Sequence, residues 1–195
     1  MKVDNDQLRK QLKAQRSQLS TRQQDLLSAK IADRLSKTPD YLAAKNIALY
    51  IPVNGEADPR YLVAENKDPS RKFYLPVLSP TGNKHLNFTQ WDKDTQFTNN
   101  IFGIPEPNLP HNSLASTQLD LVIMPLVGFD AQGNRLGMGG GYYDRTFAFR
   151  LKNKDIKTPL LIAYAYTFQQ CKKLSAQSWD VPIDAYVTEN KFANI

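Results

Sequence analysis

Apolar positions along the chain change spacing several times, and each change predicts an element. Residues 5–37 read as helix. Leu8, Leu12 and Leu19 suit one face of a first segment, with Arg9, Lys10, Lys13 and Arg16 on the others. Ser20 followed by Gln23 is a capping-box pattern that starts a second segment, and Leu27, Ile31 and Leu35 give that segment an apolar stripe. Pro39 should end it, because proline lacks the N–H and restricts the residue before it. The run Ile47-Ala48-Leu49-Tyr50-Ile51 predicts a buried strand, and residues 52–56 a loop. Asp58-Pro59 reads as an N-cap with proline at the first helical position, so Arg60 to Glu65 should be helical. Lys72 to Val77 and His85 to Trp91 predict two more strands, and residues 92–118, with prolines at 105, 107 and 110, an irregular stretch.

Downstream, Leu119 to Leu126 predicts a strand, Tyr142 to Leu151 a helix and Pro159 to Tyr166 another strand. A helical turn over Phe168 to Leu174, a turn over Trp179 to Asp184 and a last strand, Ala185 to Thr188, complete the pattern. Strands alternating with helices argue for an α/β fold: a single three-layer domain over residues 1–195, with a largely parallel central sheet flanked by helices and an N-terminal helical hairpin.

Composition narrows the setting. The single cysteine, Cys171, excludes an intrachain disulfide and leaves too few thiols for a zinc or iron–sulfur site. No apolar run approaches the length of a membrane span, and Met1 to Gln7 carries no apolar signal core, so a cytoplasmic protein is expected. The net charge is +6, and residues 1–37 hold nine Lys/Arg against four Asp/Glu. Such a basic arm suits a polyanion (nucleic acid, acidic lipid or a small molecule) or simply a solvated helix face.

The candidate chemistry centres on Gly133 to Arg145, because six of the nine glycines fall between Gly128 and Gly141. A strand, a glycine loop and a helix N-terminus together make an anion site. The loop is neither a Walker A motif nor G-x-G-x-x-G, so motif reading alone stops at an anion-binding loop flanked by Arg135 and Arg145. The carboxylates in or near the loops at the strand ends are Glu56, Asp130, Asp144 and Asp180. Asp144 suits Mg²⁺ bound to a nucleotide, or equally a carboxylate in the first turn of a helix. Asp180 is a second metal ligand only if the fold brings it near. Tyr142 and Tyr143 can stack on a heterocycle or pack in the core. Glu106, between two prolines, is either a wall of the site or part of a rigid crossing. His85 and His111 lie away from the glycine loop, no G-x-S-x-G elbow is present, and Cys171 suits a packed apolar position. Alternatives from other classes are a non-catalytic nucleotide or RNA binder and a sugar-phosphate isomerase-like enzyme.

Leu126 to Arg145 resembles the signature of the 5-formyltetrahydrofolate cyclo-ligase family, also called 5,10-methenyltetrahydrofolate synthetases. The resemblance extends to Leu8-Arg9, the loop ending in Glu56, Gly103 to Pro107, and Asp180 in its Asp-Val-Pro-Ile-Asp turn. It implies ATP- and Mg²⁺-dependent conversion of 5-formyltetrahydrofolate to 5,10-methenyltetrahydrofolate, with ADP and phosphate released through an N5-iminium phosphate. Carried over by position, it implies that Arg9 contacts ATP phosphates, with Asn5 nearby. Arg135, Leu136, Gly137, Met138, Gly139, Gly140, Gly141, Tyr142 and Tyr143 wrap the nucleotide. Asp144 and Asp180 hold Mg²⁺, and Glu56 hydrogen-bonds the pterin while Ile51 lines its pocket. Gly139, Gly141 and Tyr142 also meet the folate. Asn5 stands where the family often has Lys or Arg, and Lys2 or Lys10 are its possible substitutes. Met138 stands where an aromatic or basic residue is common, and Gly140 where some members carry Lys. Backbone N–H groups, Arg135 and Mg²⁺ are then left to carry the phosphate charge. The resemblance implies no nucleic-acid or membrane partner, and a monomer is expected.

Overall fold

The computed structural model describes residues 4–108, 112–153 and 156–195. Lys2 and His111, weighed above, lie outside them. Helix α1 (Asn5–Ser17) starts where the Asp4 side chain accepts from the N–H groups of Asp6 and Gln7. Helix α2 (Thr21–Ser36) begins at the expected capping box: Gln23 N donates to Ser20 Oγ at 3.3 Å, and Ser20 N donates back to Gln23 Oε1 at 2.9 Å. Helix α2 ends before Pro39, as expected, with Thr38 held extended, but Pro39 does more than stop it. It opens α3 (Pro39–Ala43), which Thr38 caps, since proline at the first helical position lacks only an N–H that would have no helical partner.

Strand β1 (Asn46–Ala48) stops earlier than the apolar run suggests; after Leu49 N donates to Tyr74 O, the chain leaves the sheet. Helix α4 (Tyr61–Ala64) follows Asp58, whose Oδ1 accepts from Arg60 N. Strands β2 (Lys72–Leu78) and β3 (Leu86–Trp91) pair antiparallel. The stretch expected to be irregular contains a hairpin, β4 (Phe97–Asn99) with β5 (Pro105–Pro107), and the short β6 (Ser113–Leu114). Pro105 and Pro107, which argued against strands there, sit on an edge strand, where a missing N–H costs no ladder bond, while Pro110 lies outside the described residues.

After β7 (Leu121–Met124), the glycine stretch is not one loop. Its first half is a hairpin of β8 (Gly128–Asp130) and β9 (Arg135–Leu136), turning at Gly133 with φ +86°. The wholly buried Asp130 staples the turn: Oδ1 accepts from Gln132 N and Asn134 N, and Oδ2 from Asn134 Nδ2 and Leu174 N. The expected helix over 142–151 breaks at Phe147 into α5 (Tyr142–Thr146) and α6 (Phe149–Lys152). Strand β10 (Leu160–Tyr164) follows. The helical turn expected over 168–174 is a single 3-10 turn, Thr167–Gln169, leading into β11 (Gln170–Cys171) beside β8. Strand β12 (Ala185–Val187) pairs antiparallel with β13 (Phe192–Asn194), which the pattern did not announce.

The main sheet has the order β13-β12-β10-β7-β1-β2-β3-β6, parallel from β12 to β2 and antiparallel toward both edges. Alternate residues feed two cores. Ile47, Leu75, Ile123 and Tyr164 pack with Ile31 and Leu35 of α2. Ala48, Tyr74, Val122 and Ala163 pack with Phe147 and Phe149, beside Tyr142 and Tyr143. Helix α1 packs elsewhere: Leu12 clusters with Val127, Leu136 and Leu174 on the β8–β9 hairpin. Any side chain at Gly128 would strike it, since a Cβ there would lie 2.7 Å from Leu12 Cδ1. That close approach sets α1 beside the ends of the central strands.

Candidate active site

A cavity of about 1130 Å³ opens where α1, the end of β1, the β4–β5 hairpin and the glycine stretch meet. Asn5, Arg9, Ile51, Glu56, all of Arg135 to Tyr143, Asp144 and Asp180 line it. Residues from four distant parts of the chain are therefore brought to one place. His85 is not among the lining residues, and Cys171 is a half-buried thiol packed beside Leu12, its pKa pushed up by burial.

One end is built for negative charge. The Arg135 guanidinium is buried; NH2 donates to Asp144 Oδ1 at 2.5 Å, and NH1 has no hydrogen-bond partner. Burial works against its charge, and Asp144, then Asp180, works for it. Asp144 Oδ1 also accepts from Val181 N at 3.1 Å. This joins α5 to the 179–184 turn and so brings Asp180 to the same cavity as Asp144. Asp180 Oδ2 accepts from Gln177 N at 2.8 Å. The other cations are tied to the backbone of the glycine loop: Arg9 Nε donates to Gly137 O, and Arg145 NH1 donates to Gly140 O. Arg9 also pairs with Asp6. Asn5 Nδ2 donates to Ser175 O at 3.0 Å, leaving its Oδ1 buried without a partner.

Helix α5 has five residues and Gly141, at φ +69°, supplies no side-chain cap. So short a helix sums few peptide dipoles. Positive charge at this end is supplied instead by the side chains of Arg9, Arg135 and Arg145.

The other end is drier. Glu56 is 7% exposed; Oε2 accepts from Val53 N at 3.1 Å, and Oε1 lies 3.5 Å from Arg16 NH1. Burial raises its pKa, and Arg16 opposes the rise. Tyr143 stacks on Phe147, and its hydroxyl pKa is pushed up first by burial and then by the nearby Glu56 charge. Tyr142 meets the exposed Phe102 edge-to-face, with centroids 5.9 Å apart. Both tyrosines thus pack against the core and line the cavity.

Glu106 lines the wall and also ties it together. Its Oε2 accepts from Leu78 N and from Asn100 Nδ2, each at 3.1 Å. Asn100 Oδ1 in turn accepts from Phe102 N and Ile104 N, fixing the hairpin tip. The loop carrying Phe102 to Glu106 does wall the site, whereas the ring contact of Phe102 and the buried Arg16 beside Glu56 were not foreseen. Phe102 carried no periodic signal, and Arg16 read as a surface residue of a basic helix.

Chemically, the arrangement offers a buried guanidinium bonded to Asp144, with Asp180 in the same lining, at one end and a buried carboxylate close to Tyr50 and Tyr143 at the other. Among the described residues no cluster of three or more His, Cys, Asp or Glu can hold a metal. Magnesium bound with phosphates takes only one or two protein oxygens, so the Asp144–Asp180 pair fits that ion in a phosphate complex.

Comparison with known proteins decides the family. The model of the 5-formyltetrahydrofolate cyclo-ligase family matches residues 1–189. The chain belongs to the 5-formyltetrahydrofolate cyclo-ligase family. It is an enzyme of that ligase class. The 5-formyltetrahydrofolate cyclo-ligase of Haemophilus influenzae is 38% identical over 91% of this chain and 93% of its own length. That of Escherichia coli K12 is 34% identical over 92% and 97%. The NMR structure of Aquifex aeolicus 5,10-methenyltetrahydrofolate synthetase superposes with a TM-score of 0.81 at 29% identity, covering 97% of this chain and 92% of that one. The Mycoplasma pneumoniae synthetase gives 0.75 at 27%, covering 96% and 99%. For the cyclo-ligase family the mixed α/β fold with a large central sheet flanked by helices is therefore shared by solved structures.

Proposed function

We propose that this cyclo-ligase converts 5-formyltetrahydrofolate to 5,10-methenyltetrahydrofolate at the expense of ATP, releasing ADP and phosphate. The observation that carries the reading is the two-ended cavity: at one end a buried guanidinium bonded to Asp144 keeps one nitrogen without a partner, with Asp180 in the same lining, and Glu56 stands at the other. Its volume exceeds that of a pocket for one drug-sized ligand, as two substrates require. The relatives' names supply the folate substrate; the polyanion end supplies the argument for ATP.

The chemical problem is a poor leaving group, since the formyl oxygen on N5 is amide-like. Transfer of the γ-phosphoryl group to that oxygen gives an N5-iminium phosphate. N10 then attacks the formyl carbon, its proton is lost, and the C–O bond breaks with phosphate leaving. Such a reaction asks the protein mainly for positioning and charge neutralisation. Arg135, with one hydrogen-bonding edge unused, neutralises phosphate. The backbone N–H groups between Gly137 and Gly141 surround the nucleotide, with Arg9 and Asn5 at its phosphates. Asp144 and Asp180 would hold Mg²⁺, which offsets the triphosphate charge when bound. Glu56 accepts from the pterin N–H groups, Ile51 lines that pocket, and Tyr142 and Tyr143 stand between the folate and the nucleotide.

In this reading the whole chain is one three-layer domain with an N-terminal helical hairpin, supported by helices packed on both sheet faces. It acts as a monomer on small molecules in the cytoplasm. Among the described residues no helix is long and apolar enough to cross a membrane. The test is purified protein with 5-formyltetrahydrofolate and Mg-ATP. Near-UV absorbance of the methenyl product should rise only when ATP is present. No rise with ATP, or an equal rise without it, refutes the proposal.

A further inference from the structure

Arg16 is a charged side chain only 2% exposed, on a helix whose other basic residues face water or the cavity. It follows Leu12 by four residues, so both lie on the α1 face held against the body of the protein. Its Nε donates to Asn54 O at 3.0 Å, and its NH1 lies 3.5 Å from Glu56 Oε1. Both partners belong to the turn after β1. In that turn Asn54 and Gly55 are both left-handed, at φ 51° and 75°. Asn54 tolerates this conformation at some cost, and a turn holding it needs support from outside. The backbone of Gly55 also packs on Arg16: a Cβ there would lie 3.5 Å from Arg16 O and 3.7 Å from its Cγ.

Stability alone does not account for this arrangement. Arg16 NH2 is buried with no partner, and the ion pair is long. Apolar residues of similar volume commonly serve stability as well as a buried ion pair or better. What Arg16 does is grip a carboxylate and the turn that carries it.

We propose that Arg16 is the positioning residue for substrate binding, clamping the 53–56 turn so that Glu56 presents its carboxylate to the folate. This rests on the reading that Glu56 binds the folate. It adds a charge consequence. The groups facing Glu56 are Arg16 and Lys13 from α1, Val53 N from its own turn, and the hydroxyls of Tyr50 and Tyr143. Burial disfavours the carboxylate, the tyrosines supply no positive charge, and the Arg16 guanidinium does most to oppose the rise. Without Arg16 the carboxyl would hold its proton to higher pH and lose its ability to accept from the pterin.

The test is calorimetric binding of 5-formyltetrahydrofolate without ATP, from about pH 5 to about pH 8, to the full chain and its variants. In Arg16→Met the acid-side loss of affinity should move up by about one to three pH units, the usual effect of an opposite charge at this range. Arg16→Lys keeps the charge but cannot reach both Asn54 O and Glu56. Its pH limb should stay near the wild-type position while the folate KM rises, with the ATP KM unchanged. Should Arg16→Met not fold, Arg16→Lys decides alone: an unchanged folate KM overturns the proposal. So does an Arg16→Met limb that coincides with wild type. Glu56→Gln separates the two levels. If it leaves folate affinity intact, the reading of Glu56 fails. If it abolishes affinity while both Arg16 variants behave as wild type, only the role of Arg16 fails.

Discussion

Asp144 should support the fold as well as the chemistry, and Asp144→Asn separates the two. The variant keeps the shape of the side chain, and its amide oxygen can still accept from Arg135 NH2 and Val181 N. Only the charge is lost. Arg135 is 6% exposed and already has one nitrogen without a partner, while Asp144 is 25% exposed. Removing one member of a fully buried pair costs about 3–5 kcal/mol. Solvent reaching a quarter of Asp144 lowers that to about 2–4 kcal/mol here. For a chain of this size, that is a fall in Tm of roughly 5–15 °C. Urea denaturation followed by tryptophan fluorescence and circular dichroism measures it, and turnover should be lost in the same variant. Adding Arg135→Gln should recover much of the stability and none of the activity, a coupling that a double-mutant cycle reads directly. A destabilisation by Asp144→Asn below about 0.5 kcal/mol would refute the argument, because surface substitutions fall within that range.

Gly133→Ala should destabilise by about 2 kcal/mol or more: its φ of +86° disfavours a side chain, and the Cβ would sit 2.9 Å from Ile183 O. Urea titration checks this, and a neutral result would mean the β8–β9 turn can shift. Glu106→Ala frees Asn100 and the hairpin tip that carries Phe102, so the folate KM should rise up to roughly tenfold, the scale of one charged hydrogen bond. Its Tm should fall by roughly 2–10 °C as Leu78 N and Asn100 lose their acceptor; an unchanged KM would confine Glu106 to structure. Burial raises the hydroxyl pKa values of Tyr50, Tyr143 and Tyr164. The unfolded chain therefore ionises first, so this contribution is intact below about pH 10 and falls as pH rises above it. Phenolate absorbance should then grow together with the loss of circular dichroism. Ionisation of all tyrosines near pH 10 with the fold intact would contradict their burial.

Most of the parallel sheet was legible because its strands are buried on both faces and read as continuous apolar runs, Leu121 to Met124 above all. The cap at Ser20 was legible because its hydrogen bonds are local. What escaped depended on distant partners. β13 forms only against β12, and β5 only against β4, through residues whose own preferences are weak. The glycine stretch looked like one loop because the buried Asp130, which makes its first half a hairpin, draws one of its four hydrogen bonds from Leu174, 44 residues away. Residue reasoning reached Glu56, Arg135, Tyr142, Tyr143, Asp144 and Asp180 as candidates, while Asn5, Arg9, Ile51 and the specific roles came from family likeness. No local pattern could bring Asp180 to the same cavity as Asp144, since their segments are joined by contacts over 34 to 37 residues, Val181 N to Asp144 and Arg150 to Asp184. Arg16 shows the same limit from the other side: helical periodicity placed it with the solvated cations, while a contact 40 residues away buries it.

The fate of the formyl oxygen tests the account most directly. 5-Formyltetrahydrofolate labelled with oxygen-18 in the formyl group is turned over with unlabelled Mg-ATP, and the released phosphate is read by mass spectrometry or by phosphorus NMR. Phosphorylation of that oxygen predicts one labelled oxygen in each phosphate formed. Label found in water, with unlabelled phosphate, would contradict it.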